Sequence, residues 1–400
     1  MRRNLTLVLL AGSFPWAAWA ERPAPPAAAP AAGNTAAPAG ARRISFGGEI
    51  RGRLESLDGI AAPVGERGGV YLHRARLEMR AAPFSTLRLF VQLQDSRVAG
   101  WPQSPAPVRV RNQADFRQAY VEFGDAEQGV VLRAGRQALI FGDSRLMSTS
   151  NWSNVGPAYD GARLTLRRGR AALDLFSAAP VKPLGGAWDR PAPGRRVHGA
   201  YGALSAGAVA LEPYLLVKTD SRARGELGGD GAYSVFTGGM RSFGPLAGRL
   251  GYEAEMAVQG GSLVRDSIRA SAGHWEVQYQ VSPAAGSPQL IGEYNFASGD
   301  RALGDGRRGT FDHFYPTHKY GTADNIGWQN IHEMVAAAEW KPGRNWRLRA
   351  NHRNFWLASR ADALYSMTGA ELARNPKAKQ RIKPLKRIFF FILHPPFEEF

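Results

Sequence analysis

From Ile44 onward apolar and polar residues alternate, and arginine and glutamate dominate the polar set. Successive side chains on a strand point to opposite faces, so a period of two marks a sheet with two unlike faces. In the first segment Ile44, Phe46, Gly48, Ile50, Gly52 and Leu54 fall on one face, and Glu49, Arg51, Arg53 and Glu55 on the other. Ala75, Leu77 and Met79 then oppose Arg74, Arg76, Glu78 and Arg80, and Leu87, Leu89, Val91 and Leu93 oppose Arg88, Gln92 and Gln94. The same rhythm returns over 162–167 and 346–351. Turn signals such as Ala81-Ala82-Pro83, Arg168-Gly169, Ser282-Pro283 and Lys341-Pro342-Gly343 separate the segments. Roughly fifteen segments of about 8–12 residues are readable, the length of a tilted membrane-spanning strand.

Which face meets water decides the fold class. A soluble sandwich turns its polar face to bulk water and fills a core with large apolar side chains. Here the apolar face is lean in Ala, Gly and Leu, while the other is crowded with charge. That suits an all-β antiparallel transmembrane barrel, with lipid outside and a charged aqueous lumen within. Closure leaves no unpaired backbone in hydrocarbon, where each unsatisfied group costs several kcal/mol. Connections support the same reading. Those near 81–86, 125–129, 168–171 and 341–345 are short, and those at 96–115, 138–160, 179–196 and 298–328 are long, as for periplasmic turns and outer loops. The competing fold is a soluble all-β periplasmic protein.

Composition removes other classes. The 400-residue chain has no cysteine, which excludes disulfide scaffolds, zinc-finger spacings, iron–sulfur clusters and thiol nucleophiles. No apolar run beyond the N-terminus is long enough for a transmembrane helix. Arg2 and Arg3, the apolar stretch Leu5–Leu10 and the small-x-small triplet Ala18-Trp19-Ala20 read as a cleavable signal peptide over 1–20. The Pro/Ala-rich stretch 21–42 reads as a flexible leader.

The formal charge is +17, and arginine outnumbers lysine in the body of the chain. Guanidinium stays charged and grips carboxylates through a rigid fork, so a lumen lined by Arg51, Arg53, Arg74 and Arg76 favours anions. Glu49, Glu55, Glu78 and Glu122 break up the positive wall and pair across strands. No recognition helix or aromatic-basic motif points to nucleic acid. Catalytic and metal patterns are thin. The eight histidines form no HExxH motif, and His313 and His318 share a loop with Asp312, a hydrogen-bonding pattern more than a metal one. Asp143, Asp160, Asp300, Asp312 and Asp324 could include an acid/base pair for glycoside chemistry, but spacing alone does not show two of them facing each other. The expectation is therefore no enzyme, no cofactor and no metal site.

Two longer strings carry a family likeness. The first holds Leu132-Arg133-Ala134-Gly135-Arg136-Gln137, Phe141-Gly142-Asp143-Ser144-Arg145-Leu146, Asn151-Trp152 and Tyr159-Asp160-Gly161-Ala162-Arg163-Leu164. The second holds Gly292-Glu293-Tyr294-Asn295, Ala297-Ser298-Gly299-Asp300, Gly309-Thr310-Phe311-Asp312, Gly327-Trp328, Phe355-Trp356-Leu357 and Asp362-Ala363-Leu364-Tyr365. The chain resembles the alginate-export family of Gram-negative outer-membrane β-barrel porins, in blocks from about residue 44 to 375. The resemblance implies a barrel of about eighteen strands, within the usual even range, and an arginine-rich pore for anionic solutes or an anionic polysaccharide. The partners it implies are outer-membrane lipid, the anionic solute and the barrel-assembly machinery.

Arg133 and Arg163 sit opposite the apolar set of their segments and are expected to face the lumen; Arg136 and Arg145 flank the long loop entered at Phe141. Asp143 and Asp160 are expected to pair with those arginines and fold the loop inward as a constriction, the alternative being a loop that packs on the barrel rim through Trp152 and Tyr159. The barrel domain spans 43–375. Beyond it, residues 376–400 depart from the family pattern: Pro395-Pro396 and Glu398-Glu399 spoil the alternation, and the expectation is an aberrant basic, apolar tail where closing strands are missing or replaced. The leading function is an anion-preferring outer-membrane channel; the alternative is a periplasmic or surface β-protein that binds or degrades acidic polysaccharide.

Overall fold

The structure, a computed structural model, describes residues 43–57, 68–102, 105–125, 129–284, 286–316, 326–343, 346–374 and 390–394. The expected signal peptide and leader lie outside the described residues, as does most of the tail. In chain order the strands are β1 (Arg43–Leu57), β2 (Gly68–Phe84), β3 (Leu87–Ala99), β4 (Asn112–Asp125), β5 (Val130–Gln137), β6 (Tyr159–Arg168), β7 (Ala171–Lys182), β8 (Arg190–Pro191), β9 (Arg195–Ala206) and β10 (Val209–Arg224). There follow β11 (Asp230–Ala247), β12 (Leu250–Leu263), β13 (Asp266–Gln280), β14 (Gln289–Ala297), β15 (Arg307–Arg308), β16 (Ile331–Gly343), β17 (Trp346–Trp356), β18 (Leu364–Tyr365), β19 (Glu371–Ala373) and β20 (Phe390–His394). No helix occurs among the described residues. Apart from the stubs β8 and β15, the strands of the 18-stranded sheet form one antiparallel meander from β1 to β20; β18 and β19 make a separate two-stranded sheet. The chain is an all-β, antiparallel transmembrane barrel.

The side-chain distribution shows why these residues curl a sheet around water. Phe46 (73%), Ile50 (82%), Leu215 (66%) and Val258 (65%) are exposed on the outer face. Their neighbours on the inner face, Arg53, Gln92, Thr237, Glu253 and Glu333, are buried. Only in lipid is that pattern stable. Phe84, Phe123, Trp340 and Trp346 stay exposed at strand ends beside the short turns, and Tyr71 and Trp356 at the opposite ends, as interfacial aromatics do.

Two details differ from the sequence reading. The strands reach 16, 18, 14 and 15 residues in β10 to β13, well beyond the bilayer. Across this stretch the β10–β11 and β12–β13 connections are tight rather than long, so hairpins project where loops stand elsewhere. The second difference falls in the tail. Phe390–His394 is a strand, running antiparallel to β17 with Asn351 opposite Phe390 and Arg347 opposite His394. Residues 390–393 of the apolar run therefore join the wall at this point.

The interior is not open water throughout. Leu139, Phe141, Leu146 and Met147 from loop 138–158 and Phe311, Phe314, Ile326 and Trp328 from loop 298–330 pack against Phe176, Val197, Tyr201, Leu216 and Val235 of the wall. Loops that turn inward bring apolar side chains with them, and the wall answers with apolar residues at inward positions.

Candidate functional site

Loop 138–158 crosses the lumen, and arginines of β1 and β2 hold its tip. Arg51 and Arg74 stand directly opposite each other in the ladder, an unfavourable like-charge pair unless acceptors are shared. The loop supplies them. Arg51 donates to the carbonyls of Asn151 (2.8 Å), Trp152 (3.0 Å) and Ser153 (3.3 Å), and Arg74 to those of Asn151 (2.8 Å) and Ser153 (2.9 Å). Arg53 donates to the Trp152 carbonyl at 2.6 Å and lies 4.1 Å over its indole. Arg76 reaches the Asn151 side-chain oxygen at 2.8 Å and Gln94 at 2.7 Å. Glu49 pairs with both Arg74 and Arg76, and Glu55 with Arg53. Buried Asn154 extends the clamp: its amide donates to the carbonyls of His73, Arg97 and Val110, and its own carbonyl accepts from Gln94 and Ser96. The carbonyls of Asn151, Trp152 and Ser153 belong to no ladder, so a charged donor is what makes their burial tolerable.

The loop's first half reaches the opposite wall. Arg145 lies 3.1 Å from Asp143, 3.6 Å from Glu255, 3.9 Å from Glu253 and 2.7 Å from His274 Nε2. Behind it Arg241 bridges Glu212 and Glu253, Tyr201 donates to Glu212, and Tyr214 to Glu255. Phe141 stacks between Phe176 (4.8 Å) and Tyr201 (5.1 Å), and Tyr201 on Tyr214 (5.7 Å). Gly142 has φ 56°, and a Cβ there would meet the Tyr201 hydroxyl at 2.5 Å, so no other residue fits this close approach.

Loop 298–330 completes the filling. Its Tyr315 pairs with Met147 in a β-bridge, with N–H···O bonds of 2.8 Å from Ser148 to Tyr315 and from Tyr315 to Leu146. Asp312 accepts from Lys218 at 2.8 and 3.0 Å and from the Tyr233 hydroxyl, and Gln259 clamps its backbone at both N–H (2.8 Å) and carbonyl (2.7 Å). Burial alone would raise this carboxyl, yet the Lys218 ammonium and Tyr233 hydroxyl hold it below the usual carboxylate range. His313 Nε2 donates to the Met367 carbonyl at 3.0 Å, while burial pushes its pKa down to about 4. Asp362, beyond β17, accepts from the Asp300 amide, Thr310 and Tyr365, tying a third segment to this loop.

Residues 42–381 match the family model described as alginate export. The chain belongs to the alginate-export family. Among solved structures it is similar to OccK8 (OprE) of Pseudomonas aeruginosa, with a TM-score of 0.52 and 8% identity over 78% of this chain and 84% of that one. OpdO of Pseudomonas aeruginosa (TM-score 0.50, 11% identity, 78% and 79% covered) and OccAB1 of Acinetobacter baumannii (0.50, 10%, 78% and 79%) are comparable. At such identities the likeness is one of fold. No curated protein matches the chain. Family and fold are those of outer-membrane channels and not of enzymes.

In this alginate-export protein the remaining arginines singled out in the sequence form chains across the wall. Arg133 and Arg163 face each other in register, flanked by Glu122 (2.8 Å to Arg133) and Asp174 (2.8 Å to Arg163) on the next strands. Arg133 also lies 4.2 Å over Tyr120, and Arg163 5.1 Å over Phe141. Arg136 grips Asp160 through two bonds of 2.8 and 2.9 Å, in register across β5 and β6. That pair lies within the wall, at the root of the loop. Asp143 pairs inside the loop with Arg145, and the tip is held elsewhere, by Arg51, Arg53, Arg74 and Arg76. Asp312 is a half-buried partner of Lys218; His318 and Asp324 lie outside the described residues.

The facing wall was missed. Glu253, Glu255, Glu276 and Glu333 are buried on β12, β13 and β16, and Glu293 is half-buried on β14, each on the inner register of its strand. Their alternation with Ala254, Met256, Val277 and Met334 is the same signal that marked the arginines. Among the described residues His274, Glu276 and Glu293 bring ligand-type atoms within 4.8 Å of one another. Both ring nitrogens of His274 are already engaged, by Arg145 and by Asn295 at 2.7 Å.

Proposed function

We propose that this outer-membrane channel passes small anionic solutes, in preference to cations, along the arginine wall of β1 to β6. The observation that carries the reading is the polarised interior: arginines of β1, β2, β5 and β6 on one side, buried glutamates of β12 to β16 on the other, with loop 138–158 strung between them. Such a transverse arrangement orients a carboxylate toward guanidinium forks and keeps cations off that path. The filled lumen favours a uronate-sized solute over a polymer chain, and alginate-like oligomers fit the same chemistry. Export through a signal peptide cleaved after Ala20 and insertion by the barrel-assembly machinery complete the reading.

Reversal potentials across planar bilayers under a chloride gradient test it. The wild type is expected to select anions, and Arg51→Ala with Arg76→Ala to lower that selectivity while conductance rises as the loop tip loosens. A cation-selective wild type overturns the proposal.

A further inference from the structure

Among the described residues Arg117, in the lumen wall, is a buried guanidinium with no acceptor. In the β3–β4 ladder Gln92 faces Gln118 and Leu93 faces Phe116, so Arg117 is the extra residue of a β-bulge. A bulge turns a side chain away from the alternation, and here Arg117 and Gln118 are both buried on the inner side. Arg117 is 8% exposed, and its Nε and Nη1 have no hydrogen-bond partner among the described residues. Arg76, Arg74 and Arg136, all of its own sign, act on it. The Tyr159 hydroxyl, which also interacts with it, is a second buried donor without an acceptor. Arg117 Nε and Nη1 and the Tyr159 hydroxyl are thus buried donors with no hydrogen-bond partner among the described residues.

A cavity of about 20 Å³ adjoins this guanidinium, lined among others by Gln94, Asn112, Val155 and Gly156. Gly156 is required for the loop backbone to close over it, because a Cβ would lie 2.3 Å from the Thr149 carbonyl and 3.2 Å from Arg117 Nη2. Asp115 and Asp189 also line the space, but their oxygens are taken. Asp115 accepts from the amides of Phe116 and Asp189, and Asp189 from the Leu184 amide and Asn112. The volume suits one atom-sized ligand, since a single water needs roughly 10–15 Å³ by the same measure.

We propose that Arg117 and this cavity form a binding site for one halide-sized anion, chloride or bromide, set in the wall beneath loop 138–158. An uncompensated buried cation is strongly destabilising, and a bound anion removes that cost while leaving the arginine in place. The site is independent of transport: it fills whether or not the barrel conducts.

Crystals of the full chain grown in sodium bromide test it directly by anomalous diffraction. A bromide peak within hydrogen-bonding reach of Arg117 Nε and Nη1 is expected, and its loss in Arg117→Met. Water alone in the wild-type cavity, or a peak that survives the substitution, overturns the proposal. Thermal unfolding of the wild type in detergent gives a second readout that does not depend on the variant folding. Replacing methanesulfonate by bromide at constant ionic strength is expected to raise Tm, and an unchanged Tm overturns the proposal. A bromide peak in a barrel that fails to select anions would leave this site standing and sink the channel reading alone.

Discussion

Arg74 shows what a single side chain does in this lumen. It is 1% exposed, opposes another arginine in the ladder, and ties Glu49 of β1 to Asn151 and Ser153 of the loop. Removing one partner of a buried ion pair strands the other, which costs more than the pair is worth. Arg74→Ala should therefore destabilise the folded barrel by about 3 kcal/mol and expose the 148–154 segment to protease. A double-mutant cycle with Glu49→Gln should show strong non-additivity, because the two share one network. Additive losses would mean that loop carbonyls alone satisfy Arg74. Sequence alternation placed Arg74 inside without showing its acceptor, because Asn151 lies 77 residues away.

At the scale of elements, the two inward loops hold each other, and the second is tied to the segment after β17 through a titratable group. His313 is neutral in the fold: Nε2–H donates to the Met367 carbonyl, and Nδ1 is buried without a partner. Its pKa, pushed down to about 4 by burial against a reference near 6.5, means that the unfolded chain takes up a proton the native state refuses. Stability is therefore full above about pH 6.5, falls as pH drops toward 4, and has lost about 3 kcal/mol by then if the site stays closed. Asp312 adds to the loss only below about pH 4, where its unfolded carboxyl protonates first. Tm measured from pH 7.5 to 4 should decline in the wild type and flatten in His313→Gln. An equally steep decline in the variant would place the sensitivity elsewhere. Neither contact was legible in the sequence: Asp312 and His313 stand together, but Lys218 and Met367 reach them from β10 and from the segment after β17. Loop residues have no periodicity that says where they turn.

For the whole molecule the decisive quantity is which face the bilayer touches. Ile50 projects into lipid and its neighbour Arg51 into the lumen, one residue apart on β1. A charge at the lipid face near the midplane costs about 2–4 kcal/mol. Ile50→Arg should thus lower folding yield into vesicles and abolish heat-modifiable gel migration in a fraction of the protein, whereas Ile50→Leu should not. Normal insertion of Ile50→Arg would contradict the assignment of that face. The apolar cluster inside the barrel, from Leu139 to Trp328, further predicts a narrow conductance for so wide a wall.

Period two, the lean apolar face and the spacing of turns determined from sequence alone that this chain forms a membrane barrel with its charges turned inward. Strand geometry makes those positions a property of the local chain, so no distant contact is needed to read them. What only the tertiary structure decided is where each charge finds its counterpart: loop carbonyls for Arg51 and Arg74, acids of the far wall for Arg145, and a bulge that leaves Arg117 with none. Those pairings depend on loops crossing the lumen, and the curl of the sheet brings together residues that no sequence period connects.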